Sequence, residues 1–272
     1  MKSIVMIIAF MAGFLPVAAW AQEEEKQAIT ISGSATLASD YRFRGVSQSD
    51  KEMAVQGEMT VAHESGLYAG VWGSNLAGWG TFGGANMELD LIGGYKASIA
   101  DNATLDAGLV WYMYPGGADD SDFAEPYVKL TGTTGPATLT AGVAYAPKQY
   151  ALANVSAAPN SRGQSEDNLY LWGDGAVAIG GTPLTAKAHI GYSDGNPGLG
   201  PNGTSIAPTG RYWDWSIGVD AVWRNLTLNL SYVDTDISRS DAAPLQPNFS
   251  KGLDGIGSIA DAAVVASVTA SF

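Results

Sequence analysis

The sequence contains no cysteine, and only 15% of its residues are charged. Disulfide bonds therefore cannot stabilise the chain, and the low charge argues against a cytosolic enzyme domain, which carries roughly 25% charged residues. Basic side chains are scarce, with 14 Lys and Arg against 27 Asp and Glu and a net charge of −13. Because this charge repels phosphate backbones, we exclude nucleic acid as a partner. A hydrophobic content of 46% excludes a disordered chain.

The sequence also lacks a long hydrophobic run. Its one apolar stretch, residues 4–14, follows Lys2 and precedes the small-residue site Ala19-Trp20-Ala21. The stretch is shorter than the roughly 20 apolar residues that a membrane helix needs. The pattern predicts a signal peptide at residues 1–21 and one mature domain at residues 22–272.

What the sequence does contain is alternation. From Ile29 onward, apolar residues recur at every second position in segments of about ten, which is the period of a β-strand with one apolar and one polar face. We count twelve such segments, starting near Ala35, Ala54, Leu67, Asn86, Leu105, Glu125, Thr138, Leu169, Leu184, Asp214, Leu226 and Ala262. Short turns alternate with long loops rich in glycine, proline, asparagine and aspartate. This alternation predicts an all-β fold, an antiparallel up-and-down transmembrane β-barrel of about twelve strands, with short periplasmic turns and long extracellular loops.

One register can be checked from the sequence. A two-residue turn at Arg224-Asn225 would pair Trp223 with Leu226 on the apolar face. The face of the strand that begins at Leu67 stays undecided, because two- and three-residue turns before it give opposite answers.

Aromatic residues fall near the ends of the predicted apolar faces, as the interfaces of a bilayer favour. The predicted membrane-interface aromatics are Tyr95, Tyr145, Tyr192, Trp215, Trp223, Tyr232 and Phe272. Packing in the core of a soluble protein is the alternative. An alternating final segment that ends on Phe272 is similar to the terminal signature of outer-membrane proteins, and predicts recognition by the barrel-assembly machinery through the C-terminal strand.

Three stretches carry a family resemblance: residues 34–50 (SATLASDYRFRGVSQSD), residues 63–76 (HESGLYAGVWGSNL) and residues 88–95 (ELDLIGGY). Together with residues 232–236 (YVDTD) and the final segment, they resemble the TorF-like family of proteobacterial porins over nearly all of the mature chain. The resemblance implies an outer-membrane β-barrel that forms a pore. Outer-membrane lipid, lipopolysaccharide and small hydrophilic solutes would then be its partners.

Alternate residues of a strand point to opposite faces, and this strand parity predicts which charged side chains point into the lumen. The predicted pore-lining residues are Asp40, Arg42, Glu58, Glu88, Asp90, Lys96, Asp106, Lys129, Asp174, Lys187, His189 and Asp220. Acids outnumber bases in this set, which predicts a narrow lumen of weak cation selectivity. The alternatives are that these charges pair across the lumen and plug it, or that the barrel is a closed structural or surface-recognition protein that acts through its long loops.

We expect no enzymatic activity, cofactor or resident metal. A catalytic triad would have to use His63 or His189, and His63 has Ser65 nearby, but a solvated histidine is the simpler interpretation. Asp119, Asp120 and Asp122 could offer oxygen ligands to calcium, yet they lack the spacing of an EF-hand. A solvated acidic loop, or one that bridges to lipopolysaccharide through divalent cations, is the alternative.

Overall fold

The computed structural model describes residues 28–118, 120–154, 161–198 and 204–272. The predicted signal peptide and Asp119 lie outside these residues. β-Strands are the main element of the described chain, as its alternation requires. Their bounds are β1 Ile29–Ala38, β2 Arg42–Phe43, β3 Val46–Ser47, β4 Ala54–His63, β5 Leu67–Asn75, β6 Met87–Ala100, β7 Ala103–Met113, β8 Phe123–Thr134, β9 Ala137–Gln149, β10 Glu166–Ala178, β11 Leu184–Gly195, β12 Arg211–Trp223, β13 Leu226–Thr235 and β14 Ala263–Ser271.

Twelve of these strands form a closed antiparallel barrel, and β2 and β3 form a separate hairpin. The barrel closes where β1 pairs with β14 over Ser34–Ser271 to Ala38–Ser267. Closure leaves no open sheet edge at the seam, and a membrane demands this because it offers no water to unpaired backbone groups. The predicted fold class and strand number are therefore confirmed.

Connections alternate strictly in length around the barrel. Residues 64–66, 101–102, 135–136, 179–183 and 224–225 form turns at one end, which we call the turn end. Residues 39–53, 76–86, 114–122, 150–165, 196–210 and 236–262 connect strands at the other end, the loop end. Two short helices, α1 (Tyr150–Asn154) and α2 (Arg239–Ala242), lie in these long loops. No helix in the described part of the chain is long and apolar enough to cross a bilayer.

The strand faces divide as the alternation predicts. Trp223 pairs with Leu226 across the Arg224-Asn225 turn, which confirms the predicted register. In β5 the undecided face is now fixed: Leu67 is exposed on the outside, and the Tyr68 hydroxyl reaches Asp106 inside the lumen. Large apolar side chains such as Leu230 (53% exposed) and Val264 (65%) cover the outer surface. A surface this apolar is stable only against lipid.

The first strand is shorter than predicted at its loop end. It ends at Ala38, so Asp40 and Arg42 belong to the following loop and not to the barrel wall. The reason is that residues 39–53 fold back on themselves, with Arg42 paired to Ser47 and Phe43 to Val46 in the β2–β3 hairpin. We call residues 39–53 the luminal loop, because its hairpin contacts side chains that point into the barrel.

Candidate functional site

The tip of the luminal loop is a two-residue turn formed by Arg44 and Gly45. Both residues have positive φ, 50° and 79°, which is the requirement of a type I′ turn. Gly45 also lies against the wall, because a Cβ atom there would be 2.9 Å from the Cβ of Asp214 and would overlap the Thr235 side chain. A glycine is therefore needed both for the turn and for the close approach.

Arg44 anchors the tip of the loop to the barrel wall. Its Nη2 donates to both carboxylate oxygens of Glu125 on β8, at 2.8 and 2.7 Å. Its guanidinium carbon lies 4.1 Å above the centre of the Tyr170 ring and 4.6 Å from that of Phe43. Burial alone would lower the pKa of the Arg44 guanidinium, but the Glu125 carboxylate outweighs burial and raises it. Arg44 therefore stays charged and holds the tip by an ion pair and by stacking.

The base of the hairpin is held by Asp40. Its carboxylate accepts hydrogen bonds from Arg42 Nε at 2.8 Å, from Ser47 Oγ at 2.6 Å and from Ser49 Oγ at 3.2 Å. Arg42 Nη1 also donates to the carbonyl oxygens of Gly45 and Asp261. The two residues predicted to line the pore from the first strand thus shape the luminal loop itself.

A second contact joins the luminal loop to β6. The Tyr41 hydroxyl donates to Glu88 at 2.9 Å, and Glu88 is buried together with its strand neighbour Asp90. Burial and the carboxylates of Glu88 and Asp90 raise the pKa of the Tyr41 hydroxyl well above its usual value. Tyr41 therefore remains a hydrogen-bond donor, and Glu88 and Asp90 lie beneath the luminal loop.

The other long loops pack around the luminal loop in two apolar clusters. The first includes Tyr41, Phe82, Tyr114, Phe123 and Leu152. The second includes Val46, Trp79, Leu245, Phe249 and Ile259. These clusters join the loops into a cap over the loop end of the barrel, and the luminal loop forms the part of the cap that extends into the lumen.

Beyond the cap, charged side chains of the wall pair between adjacent strands. Asp106 on β7 lies 3.4 Å from Lys129 on β8 and 3.9 Å from Lys96 on β6. Lys187 on β11 lies 3.2 Å from Asp220 on β12. Within the described residues these pairs join neighbouring strands of the wall and do not cross the lumen.

His189 is the centre of a polar cluster at the level of the hairpin tip. Its Nδ1 lies 2.7 Å from Asp174, and its Nε2 lies 3.1 Å from Asp214 and 2.9 Å from the Tyr170 hydroxyl. Tyr170 is the ring on which Arg44 stacks, and Asp214 is the residue that Gly45 approaches. The cluster therefore includes the two wall residues, Tyr170 and Asp214, that the tip of the luminal loop contacts.

A cavity of about 570 Å³ lies in the lumen beside the hairpin tip. Its lining combines aromatic, cationic and anionic side chains, among them Arg42, Arg44, Tyr127, Lys129, Trp172 and Asp174. Glu58, the remaining predicted pore residue, lies on another part of the wall and accepts a hydrogen bond from Ser34 at 3.1 Å. Such a volume and lining are typical of a small-molecule site.

The predicted interface aromatics all lie on strands or at a strand end, and most are exposed to the outside. Tyr95, Trp223 and Phe272 are 48%, 63% and 69% exposed near the turn end. Tyr145 and Tyr232 are exposed near the loop end and donate to Asp167 and Asp234. Tyr192 and Trp215 are partly buried, and Tyr192 packs against Trp213 at 5.0 Å between ring centres.

The structure also places the histidines and aspartates that were candidates for catalysis or metal binding. His63 Nδ1 lies 2.9 Å from Ser65 Oγ in an exposed periplasmic-type turn, and His189 points into the lumen. Among the described residues no group of three or more acids and histidines could hold a metal ion. Asp122 instead accepts a hydrogen bond from the Tyr114 backbone, while Asp119 is outside the described residues.

Strand parity did not single out Arg44, Glu125, Tyr170 or Trp172. The parity that placed Lys129 and Asp174 inside also places Glu125, Tyr170 and Trp172 inside, so the signal was present for the wall residues. Arg44 shares the parity of Asp40 and Arg42, but β1 ends at Ala38, so strand parity carries no information about where the Arg44 side chain lies.

Comparison with known structures supports the architecture. The NanC porin is similar with a TM-score of 0.55 and 11% identity, over 89% of this chain and 99% of that one. The outer membrane channel DcaP of Acinetobacter baumannii covers 90% of this chain and 97% of its own, with a TM-score of 0.42 and 10% identity. At 11% identity, the likeness to the NanC porin shows the fold alone. No curated protein sequence is significantly similar to this chain. Residues 22–272 match the model of a bacterial protein family of unknown function, Gcw_chp.

Proposed function

The chain belongs to the Gcw_chp family of bacterial proteins of unknown function, and we propose that it is an outer-membrane porin for small hydrophilic solutes. The observation that carries the proposal is a closed twelve-strand barrel with an apolar outside and a charged inside that contains a cavity of about 570 Å³. A soluble protein gains nothing from such an inversion, whereas a channel through a bilayer requires it. The TorF-like resemblance of residues 34–50, which form most of the luminal loop, supports the same function.

The luminal loop is the constriction of the proposed pore. It contacts β6 through Glu88, β8 through Glu125 and β12 through Asp214, so it extends across much of the lumen. A passage beside it must be narrow, which limits solutes to small molecules. We therefore expect a low unitary conductance.

Weak cation selectivity is part of the proposal. Five basic side chains of the loop and wall, Arg42, Arg44, Lys96, Lys129 and Lys187, each lie within 4 Å of a carboxylate. Glu58 adds negative charge to the wall and accepts from Ser34. The excess of carboxylates gives the lumen a negative potential, and such a potential favours cations.

The test is conductance of the purified, refolded protein in a planar bilayer under a salt gradient. Reproducible current steps with a reversal potential on the cation side are the expected result. Current steps with a reversal potential on the anion side would contradict the cation selectivity but would still support a pore. Absence of steps, from protein shown by protease protection to be inserted, would overturn the pore.

A second candidate function rests on the cap. Two apolar clusters hold the long loops together, with Phe249 and Ile259 fully buried. A fixed loop surface of this kind suits a closed barrel that recognises a partner outside the cell. The same bilayer experiment separates the two candidates, because a closed barrel passes no current.

A further inference from the structure

Four aromatic side chains of the lumen lie across glycines of neighbouring strands. Trp172 lies over Gly142 with its six-membered ring, and Tyr170, Tyr127 and Tyr68 lie over Gly191, Gly108 and Gly94 with the hydroxyl end of their rings, so that a Cβ atom at each glycine would overlap the aromatic side chain. One face of such a ring is against the wall, and the other is directed into the lumen. The lumen therefore carries flat apolar surfaces among its charged residues.

Trp172 is the ring whose surroundings are best suited to a ligand. It lines the cavity, and its ring is nearly parallel to that of Tyr170, at 18° and 5.7 Å between centres. The Arg44 guanidinium lies on the luminal side of Tyr170, with its carbon 4.1 Å from the centre of that ring. Tyr170 is thus already covered by a flat polar group, whereas Trp172 is the next surface toward the turn end.

Polar side chains flank Trp172 on two sides. Lys129 lies in the same row across the sheet, because both Lys129 and Trp172 pair with Gly142. Asp174 follows two residues later on the same face of β10, and its side chain is 45% exposed although it contacts His189. The indole of Trp172 is therefore flanked by an accessible carboxylate on its own strand and by a lysine two strands away, whose ammonium group contacts Asp106.

This combination matches the chemistry of a pyranose ring. A pyranose has an apolar face of C–H groups that stacks on an aromatic ring, and hydroxyls at its rim that donate to carboxylates and accept from ammonium groups. A solute that is ionic throughout would gain nothing from the indole face, and a solute without polar groups would form no hydrogen bond with the accessible Asp174 carboxylate or with Lys129.

We propose that the lumen binds a saccharide, with a pyranose ring stacked on Trp172 and its hydroxyls bonded to Asp174 and Lys129. The cavity of about 570 Å³ is within the roughly 300–1,000 Å³ of small-molecule sites. The proposal rests on the proposed porin function in one respect: it names the class of solute that this site selects during passage.

Binding is tested on the full-length, detergent-solubilised protein by calorimetric titration with methyl β-D-glucopyranoside and with maltose. Sorbitol, which has comparable hydroxyls but no ring, is the matched probe. Saturable binding of a pyranoside and not of sorbitol is expected. Binding of neither, or equal binding of sorbitol, would overturn the site.

Variants locate the site. Trp172→Leu should weaken pyranoside binding at least tenfold, and Asp174→Asn should also weaken it. Trp111→Leu, which removes an indole that is 41% exposed on the outside, should leave binding unchanged. Equal affinities for Trp172→Leu and Trp111→Leu would overturn the assignment, and the unchanged far-ultraviolet circular dichroism of each variant serves as the folding control.

A parallel bilayer measurement separates this proposal from the porin function. Current steps that maltose reduces, with the reduction lost in Trp172→Leu, support both. Current steps that no saccharide affects, together with no saccharide binding in detergent, would overturn the saccharide site but would still support the pore. Binding in detergent without any current overturns the pore and leaves the site.

Discussion

Arg44 of the luminal loop and Glu125 of β8 form a buried ion pair in which one guanidinium nitrogen reaches both carboxylate oxygens, at 2.8 and 2.7 Å. The two residues are 81 positions apart in the chain. Their side chains are only 5% and 3% exposed, so neither charge is compensated by water. The pair is therefore the principal electrostatic link between the loop and the wall.

Removal of one partner of this pair should destabilise the protein strongly. Arg44→Ala leaves the Glu125 carboxylate buried without its cation, and we expect a loss of about 3–5 kcal/mol in the free energy of unfolding. Arg44→Lys should recover only part of this loss, because an ammonium group lacks the planar fork and the stacking on Tyr170. Denaturant unfolding followed by tryptophan fluorescence measures both.

The double variant completes this test. Arg44→Ala combined with Glu125→Gln removes both charges, and its loss should be smaller than the sum of the two single losses. Additive losses would show that the two side chains do not interact.

Gly45→Ala should displace the tip of the luminal loop. An alanine at positive φ costs about 1–2 kcal/mol, and its methyl group would in addition meet Asp214 and Thr235. Gly116→Ala is the matched control, because Gly116 has the same φ of 79° and no atom within 4 Å of its Cβ position. We expect a lower melting temperature for both variants and a higher unitary conductance for Gly45→Ala alone. The same conductance in the two variants would contradict the constriction.

Selectivity should follow the carboxylates of the wall. Asp106→Asn leaves Lys96 and Lys129 without their shared carboxylate, so the reversal potential under a salt gradient should move toward anions. Asp174→Asn should move it in the same direction. Asp254→Asn, in an exposed part of the last long loop, should leave it unchanged. A shift in the control as large as that in Asp106→Asn would assign selectivity to the loops.

A charged side chain should destabilise the barrel on its lipid-facing surface and should be tolerated in the lumen. Leu230→Arg places a cation on the outer face of β13 and should cost about 2–4 kcal/mol. Asn229→Arg places the same side chain one residue earlier, inside the barrel, where Asn229 contacts Asp220 at 2.6 Å. We expect this variant to fold with nearly native stability in lipid vesicles. Equal losses for the two variants would contradict the assignment of faces.

The barrel could be predicted from the sequence because the evidence for it is local. Alternation in segments such as residues 226–232 defines both a strand and its faces, and the Arg224-Asn225 turn fixes a register. Lys129 and Asp174 were predicted to point inward by the same parity. Nothing beyond the period of two was needed for these conclusions.

The luminal loop could not be predicted in this way. Arg44 can pair with Glu125, and Tyr41 can donate to Glu88, only when the barrel has closed and brought distant strands beneath the loop. Alternation carries no information about these pairings, and the polar sequence of residues 39–53 is equally suited to a solvated loop. The strand was therefore extended too far, through Asp40 and Arg42.

The proposed porin function requires a pore that the luminal loop narrows. The most direct measurement compares the unitary conductance of the native protein with that of a variant in which Gly-Ser-Gly replaces residues 42–47. We predict small, reproducible steps for the native protein and larger steps for the variant. Equal steps in the two proteins, or no current from inserted native protein, would contradict the account.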